Sequence, residues 1–260
     1  MYGAIIGDLA GSIYEYSQTK EIKNIKVKNI IEKNSFYSDD TILTIAIIDA
    51  IRNGKNYDKY LREYIKKYSN YKPAFSPYFK SAFSPNLIKW SNSDIQGKSI
   101  GNGAMMRISP VGYLFNTEDE VRKNAIEATI PSHNSKEAIE SATIIALMIF
   151  YFRNGLTKEE VYKKLNINVR YNQFHKFNCT CSETIQNCLY SLYISNNFND
   201  AIKKTIEMGG DTDTNACIVG SLAEALYGID NSLKLQAEAK LPKEFVKILK
   251  TPYWGVSIIS

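Results

Sequence analysis

Apolar side chains recur at helical spacing along most of this chain. Between residues 57 and 68 they fall at i, i+3, i+4, i+7, i+8 and i+11, with lysines on the opposite face, which is typical of an amphipathic helix. Residues 40–51 and 135–152 are apolar on most faces, which predicts two largely buried helices. Three further helices are predicted over 183–195, 199–207 and 214–227. Alternating patterns are scarce, with residues 21–32 the best candidate for extended structure, and the sequence therefore predicts an all-α fold.

The composition is that of an ordinary globular protein. Of the 260 residues, 44% are hydrophobic and 23% are charged, and no Pro/Gly/Ser-rich linker divides the chain. We therefore expect a single domain over residues 1–260. Lysine and arginine outnumber aspartate and glutamate by 32 to 27, an excess too small by itself to indicate nucleic-acid binding.

The sequence gives no sign of a membrane span or of secretion. The longest apolar run, Ala142–Phe152, is well short of the roughly 20 residues that cross a bilayer. The N-terminus lacks a basic start, and Asp8 interrupts its apolar stretch, which is unlike a signal peptide. The four cysteines are few and three of them are bunched. They do not form a disulfide framework, so we expect a cytoplasmic protein.

Two acidic clusters each precede a predicted buried helix. The first has the sequence Ser-Asp-Asp-Thr at residues 38–41, and the second has Gly-Gly-Asp-Thr-Asp-Thr at residues 209–214. Either cluster could simply cap its helix, because short polar and acidic residues suit a helix N-terminus. A cap needs only one such residue, however, and adjacent carboxylates repel unless a cation or a proton neutralises them.

If the two helix starts converge, the clusters together form a metal site. Ligands that are all oxygen favour a hard cation, Mg²⁺ or Mn²⁺, over Zn²⁺. The set is also large enough for two ions that share a carboxylate. The carboxylates are those of Asp39, Asp40, Asp211 and Asp213, with the hydroxyls of Ser38, Thr41 and Thr214 nearby.

Three further motifs carry candidate chemistry. The small residues of the segment 101–107, Gly-Asn-Gly-Ala-Met-Met-Arg, could let backbone N–H groups cradle a phosphate, while Arg107 could contact phosphate or serve a structural role. In the segment 7–15, Gly-Asp-Leu-Ala-Gly-Ser-Ile-Tyr-Glu, the glycine spacing suits close helix packing. Its acids, Asp8 and Glu15, are most simply surface residues. His133 precedes the central helix as a pocket donor or as part of its cap.

These segments, in this order, resemble the ADP-ribosylglycohydrolase family, the enzymes related to dinitrogenase-reductase-activating glycohydrolase. The family pattern runs G-D-x-x-G-x-x-x-E, T-D-D-T, G-N-G-x-x-M-R, a Ser/Thr-His segment and G-G-D-T-D-T. The match spans residues 7–214. It implies an orthogonal all-α bundle with two Mg²⁺ (or Mn²⁺) ions in a cleft. It also implies hydrolysis of the bond between ADP-ribose and an acceptor on a protein, a nucleic acid or a small molecule.

The resemblance also implies roles for individual residues. The implied catalytic residues are Glu15, Asp40 and Asp211. The implied metal ligands are Ser38, Asp39, Asp40, Asp211, Asp213 and Thr214. The implied substrate-binding residues are Gly101, Asn102, Gly103, Ala104 and Met105 beside the diphosphate, and His133 beside the ribose. Ser38 stands where the family usually has threonine, and it keeps the hydroxyl.

The sequence leaves several alternatives open. The same scaffold could serve a non-catalytic ADP-ribose-binding protein, and two metals could also serve a phosphohydrolase. His175, Cys179 and Cys181 are zinc-ligand types, but their spacing matches no zinc motif. Trp90 and Trp254 are candidates for stacking on adenine. The proton for the leaving group could come from Glu15 or from water at the metals.

Overall fold

A computed structural model describes residues 1–19, 21–73, 81–171 and 177–252 of the chain. Within these ranges the regular structure is helical apart from two isolated β-bridges, and the predicted all-α class is confirmed. The helices are α1 (Tyr2–Gln18), α2 (Asp39–Arg52), α3 (Tyr57–Tyr68), α4 (Pro85–Ser91), α5 (Gly103–Met106), α6 (Ser109–Leu114), α7 (Glu118–His133), α8 (Lys136–Arg153), α9 (Lys158–Lys164), α10 (Cys181–Tyr193), α11 (Phe198–Glu207), α12 (Thr212–Tyr227), α13 (Asn231–Glu238) and α14 (Lys243–Lys250).

The six helices with strong apolar patterns form close to their predicted bounds. They are α2, α3, α8, α10, α11 and α12. The expectation of extended structure over residues 21–32 finds no strand partner, and this stretch is irregular backbone. Part of it is held by a side chain instead, because the N–H of Val27 donates to Glu207 Oε1 at 3.2 Å.

Helix α7 changes the setting of His133. As the sequence predicted, this residue precedes the central helix α8, and it is also the last residue of α7. Residues Gly97 and Ser99 hold this helix end by donating their N–H groups to the carbonyls of Pro131 and Ser132, at 2.8 and 3.3 Å. His133 is therefore fixed by backbone contacts from a neighbouring loop.

Helices α1 and α12 pack antiparallel with their backbones in direct contact. A Cβ atom placed on Gly7 would lie 1.9 Å from the carbonyl oxygen of Ala216, and one placed on Gly11 would lie 2.2 Å from that of Thr212. No side chain fits in either space, so glycine is required for the approach. The register sets the last turn of α1, which carries Glu15, beside the first turn of α12.

Helix α12 is buried from its first residue through Ala223. It contacts α1, α8, α10 and α11, which explains why its sequence is apolar on most faces. The first turn of α12 therefore brings its acidic residues into the interior of the helical assembly. Within the part of the chain that the structure describes, no helix combines the length and apolarity needed to cross a membrane.

The contact between α1 and α12 predicts that Gly7→Ala destabilises the protein. In an ordinary helix this change is favourable by about 1 kcal/mol, because alanine has the higher helix propensity. Here the new methyl group meets the Ala216 carbonyl, and we expect a net loss of about 2 kcal/mol or more. Thermal unfolding followed by circular dichroism should show a Tm lower by about 5 °C or more.

Gly54→Ala is the matched control. Gly54 has a φ of +95° and no atom near the position of a Cβ, so its substitution tests backbone strain without a clash and should cost about 1 kcal/mol. A Gly7→Ala protein as stable as the wild type would contradict the backbone contact.

Candidate functional site

A buried carboxylate from α1 organises the first acidic cluster. Asp8 Oδ2 accepts the N–H of Ser38 at 2.9 Å and the N–H and hydroxyl of Thr41 at 3.1 and 2.5 Å. Its Oδ1 accepts the Ser38 hydroxyl at 2.8 Å. Asp8 has no exposed surface, so its interpretation as a surface acid is wrong. It stabilises the start of α2, where the helix N–H groups lack partners within the helix.

The second cluster begins with a turn that only glycine adopts easily. Gly209 and Gly210 have φ angles of +77° and +79°. A side chain on Gly209 would also meet Gln18 Oε1, which lies 2.7 Å from the position of a Cβ. The turn ends α11 and presents Asp211 at the start of α12.

Helix capping accounts for Ser38 but not for Asp211. The Ser38 hydroxyl accepts the N–H of Asp40 at 3.2 Å, as a helix cap does. Asp211 occupies the same position on α12 but makes no side-chain cap. Its Oδ2 instead accepts the Nδ2 group of Asn102 at 2.7 Å. The Asp211 carboxylate is therefore held toward the predicted phosphate loop.

The two acidic clusters meet although they are 174 positions apart in the chain, since the Thr214 hydroxyl donates to Asp40 Oδ2 at 3.3 Å. Carboxylate oxygens of Asp8, Asp40 and Asp213 lie within 4.8 Å of one another. Those of Glu15, Asp211 and Asp213 do the same. Asp213 belongs to both groups, so the site is one continuous set of acids.

The donors in these groups fit a hard divalent cation. Among the described residues, the groups close enough to hold an ion contain carboxylates alone, the ligands that Mg²⁺ and Mn²⁺ prefer. Asp40 Oδ1 is buried and has no hydrogen-bond partner among these residues. A buried carboxylate oxygen in that state is costly unless a cation or a proton satisfies it.

The pKa values of the acids are raised by their surroundings. Burial, followed by the charges of Asp8 and Asp211, raises the pKa of Asp39 to about 8. Burial, followed by the charges of Asp211 and Asp39, raises the pKa of Glu15 to about 9. Burial also raises the pKa of Asp8 to about 6 against the hydrogen bonds from Ser38 and Thr41. Without a bound cation, the cluster therefore retains protons at neutral pH.

The acids open into a cleft of about 1140 Å³ that is also lined by other predicted residues. The predicted site residues that line the cleft, including these acids, are Glu15, Ser38, Asp39, Asp40, Gly101, Asn102, Gly103, His133, Asp211, Asp213 and Thr214. The structure does not bring the side chains of Ala104 and Met105 to this cleft, because both are buried in the core.

The loop over residues 101–103 differs in detail from a free phosphate cradle. The N–H of Gly101 donates to the Ser99 hydroxyl at 3.0 Å, and that of Asn102 donates to the carbonyl of Cys179 at 2.7 Å. Gly103 begins helix α5, so its N–H has no acceptor within that helix. The loop still lines the cleft, and the Asn102 side chain joins it to Asp211.

The contacts of Arg107 favour the structural one of its two predicted roles. It is fully buried, and its Nη2 donates to the Ser132 hydroxyl at 2.7 Å. Ser132 Oγ lies 2.7 Å from Nδ1 of His133. Burial, followed by the charge of Arg107, lowers the pKa of His133 well below its usual value. The imidazole at the edge of the cleft is therefore neutral.

Two residues were missed as parts of the site. Asp8 is buried beneath the acids, and its place in the G-D-x-x-G segment was the signal that could have found it. Cys179 lines the cleft, and burial followed by the charge of Asp211 raises the pKa of its thiol to about 12, but no sequence pattern indicated this position. The zinc alternative lacks support among the described residues, since the Cys181 thiol donates to the Gly101 carbonyl instead. Trp90 also lines the cleft, while His175 and Trp254 lie outside the described residues.

Comparison with known proteins gives one family over nearly the whole chain. The model of the ADP-ribosylglycohydrolase family matches residues 1–251. Protein L543 of Acanthamoeba polyphaga mimivirus, which carries the name of an ADP-ribosyl glycohydrolase, is 27% identical, and the match covers 90% of each chain. The ADP-ribosylarginine hydrolase Tri1 of Pseudomonas putida (strain GB-1) is 24% identical, covering 88% of this chain and 70% of its own.

A solved structure shares the fold. A chain described as an ADP-ribosylglycohydrolase-related protein complex superimposes with a TM-score of 0.71 at 16% identity, covering 92% of both chains. The family match extends over every motif from Gly7 to Thr214. The chain therefore belongs to the ADP-ribosylglycohydrolase family, whose members named here are hydrolases of glycosyl bonds, as its sequence motifs predicted.

Proposed function

We propose that this protein is a Mg²⁺-dependent hydrolase that cleaves the glycosidic bond between ADP-ribose and an acceptor group. One observation carries the proposal. The acids at the starts of α2 and α12 come together in a cleft that the glycine loop 101–103 and His133 also line. A sugar diphosphate needs such a combination, because the acids can hold cations beside its hydroxyls while the loop leaves room for its phosphates.

The two groups of carboxylates suggest two ions. Asp40 and Asp213, with the hydroxyls of Ser38 and Thr214, would hold one ion. Asp211 and Asp213 would hold the other, together with Asp39, which lines the same cleft. Divalent ions bound there would polarise the ribose hydroxyls and lower the pKa of nearby water. Mn²⁺ prefers the same oxygen ligands and could replace Mg²⁺.

We assign the proton-transfer role to Glu15. Its carboxyl group lines the cleft within 4.8 Å of oxygens of Asp211 and Asp213. Departure of the acceptor leaves positive charge at the anomeric carbon, and the leaving atom has to gain a proton. A carboxyl group beside the metal ligands can transfer that proton, and the surrounding acids stabilise the developing positive charge.

Asn102 fixes the direction of the Asp211 carboxylate. Its Nδ2 group donates both to Asp211 Oδ2 at 2.7 Å and to the Thr184 hydroxyl at 3.2 Å. A hydrogen bond of this kind to a metal ligand sets which oxygen faces the ion. Asn102 therefore acts in this proposal through Asp211, in addition to its place in the phosphate loop.

Asp211→Asn and Asp39→Asn should each remove most of the activity without unfolding the protein. Each change deletes a ligand charge but preserves the size of the side chain, so we expect turnover to fall about 100-fold or more. The assay follows the release of ADP-ribose from ADP-ribosyl-arginine, ADP-ribosyl-serine and an ADP-ribosylated nucleobase in the presence of Mg²⁺. Circular dichroism checks the fold.

Asp119→Asn is the matched control, since Asp119 is an exposed acid on α7. Its activity should equal that of the wild type. Unchanged turnover in Asp211→Asn would refute the metal assignment. If the wild-type protein releases no product from any substrate while binding ADP-ribose, the chain is a binding protein. If it releases AMP, it is a phosphohydrolase.

The stability of the metal-free protein should fall as the pH rises. The pKa of Asp39 is raised from 3.8 to about 8, so the folded protein holds this proton after the unfolded chain has lost it. The stabilisation is complete below pH 3.8 and is lost as the pH rises through about 8. Differential scanning fluorimetry in EDTA should give a Tm that decreases from pH 5 to about pH 8.5.

Added Mg²⁺ should reverse this loss. The ion competes with protons for the same oxygens, so its effect on Tm should be larger at about pH 8 than at about pH 6. At about 100 times its Kd it should add about 2.7 kcal/mol to the free energy of unfolding. A Tm that does not respond to Mg²⁺ or Mn²⁺ at either pH would contradict a metal site.

A further inference from the structure

Three side chains form a hydrogen-bonded chain that runs from the core to the cleft. Arg107 is 1% exposed, and its Nη2 donates to Ser132 Oγ at 2.7 Å. Ser132 Oγ lies at the same distance, 2.7 Å, from Nδ1 of His133. The imidazole is also buried, with 5% of its surface exposed, and it lines the cleft.

The chemistry of the guanidinium gives this chain a direction. Arginine only donates hydrogen bonds, so Ser132 Oγ is the acceptor in its bond with Arg107. Within the described part of the protein, the Ser132 hydroxyl has no acceptor other than Nδ1 of His133. The hydroxyl proton has an acceptor within the described protein only when it points at Nδ1, and in that arrangement Nδ1 is the unprotonated nitrogen. A neutral imidazole that accepts at Nδ1 carries its proton on Nε2.

The protonated nitrogen faces the glycine loop. Nε2 of His133 lies 3.3 Å from the position of a Cβ on Gly103 and 3.7 Å from that of a Cβ on Gly101. A side chain at position 103 would crowd the imidazole, whereas a Cβ at position 101 would meet it at ordinary van der Waals distance. Among the described residues, the imidazole makes its side-chain hydrogen bond at Nδ1. An acceptor for Nε2 can come from a ligand, because His133, Gly101 and Gly103 line the same cleft.

A cation at the start of this series of hydrogen bonds, Arg107, has a specific advantage. A glutamine or serine in place of Arg107 could either donate or accept, so the direction of the chain would not be fixed. The guanidinium is buried, and its Nε and Nη1 groups have no hydrogen-bond partner among the described residues. Burial of a charge is unfavourable, so a residue that served only to fill space could be replaced by an apolar one at lower cost.

We infer that Arg107 and Ser132 are positioning residues that fix His133 as a hydrogen-bond donor through Nε2, aimed at an acceptor oxygen of the ligand beside Gly101 and Gly103. The identity of that ligand, a phosphate or ribose oxygen of ADP-ribose, rests on the proposed function. The direction of the hydrogen bonds does not rest on the proposed function, because it follows from the contacts among Arg107, Ser132 and His133. Binding would supply an acceptor for Nε2.

Nuclear magnetic resonance of the imidazole tests the inference directly. The chain has two histidines, so labelling with ¹⁵N-histidine gives two sets of ring signals, and His175→Gln identifies those of His133. Long-range ¹H–¹⁵N spectra near pH 7 distinguish the two neutral tautomers. We expect the wild-type signals of His133 to show a proton on Nε2. A proton on Nδ1 would overturn the inference.

Ser132→Ala and Ser132→Thr separate positioning from structure. Alanine removes the hydroxyl that donates to Nδ1, so His133 should become a mixture of tautomers, whereas threonine retains the hydroxyl and should restore the wild-type signals. Both variants fold if the role is local, which the rest of the spectrum reports. Wild-type His133 signals in Ser132→Ala would overturn the inference, as would a mixture in Ser132→Thr.

Titration with ADP-ribose and Mg²⁺ tests the ligand contact. We expect the Nε2 signals of His133 to shift on binding, and the Kd of Ser132→Ala to rise about 10-fold, the size of one lost hydrogen bond to a charged group. ADP-ribose that binds without moving these signals would overturn the contact. If ADP-ribose does not bind at all, the proposed function fails, and the tautomer still decides the role of Arg107 and Ser132.

Discussion

The site depends on one constraint, the contact between the backbones of α1 and α12. Gly7 and Gly11 let the two helices approach until carbonyl groups of α12 occupy the space that side chains of α1 would need. This approach places Asp8 under the start of α2 and Glu15 beside the start of α12. A wider separation would move both acids together away from Asp213, so the packing of two helices fixes the distances within the acidic cluster.

Repulsion among the acids is the second determinant of the site. Their pKa values are raised by burial and by one another, so the folded chain holds charge that it can neutralise only with protons or cations. The hydrogen bonds to Asp8 and from Asn102 to Asp211 keep individual carboxylates in place. These hydrogen bonds orient the carboxylates through contacts with the protein itself, which is what a preorganised site requires.

The sequence predicted those features that depend on local patterns. The six helices with strong apolar periodicity form near their expected ends, and the charge of the two acidic clusters was enough to suggest that they meet. Burial of Asp8 could not be predicted from its surroundings, because its partners are N–H groups more than 29 positions away. The position of Cys179 beside Asp211 follows from an irregular segment without periodicity, and local rules do not place such segments.

The two halves of the acidic cluster come from opposite ends of the chain, Asp8 and Asp40 from one and Asp213 from the other. During synthesis, α1 and α2 emerge long before α12 exists. Until α12 has been synthesised, the face of α1 that carries Gly7 and Gly11 has no helix to pack against, and Asp8 and Asp40 cannot approach Asp213. Contacts over such separations form slowly because a long loop has to close first. The cluster is therefore a late product of folding, and a chain arrested before α12 could not assemble it.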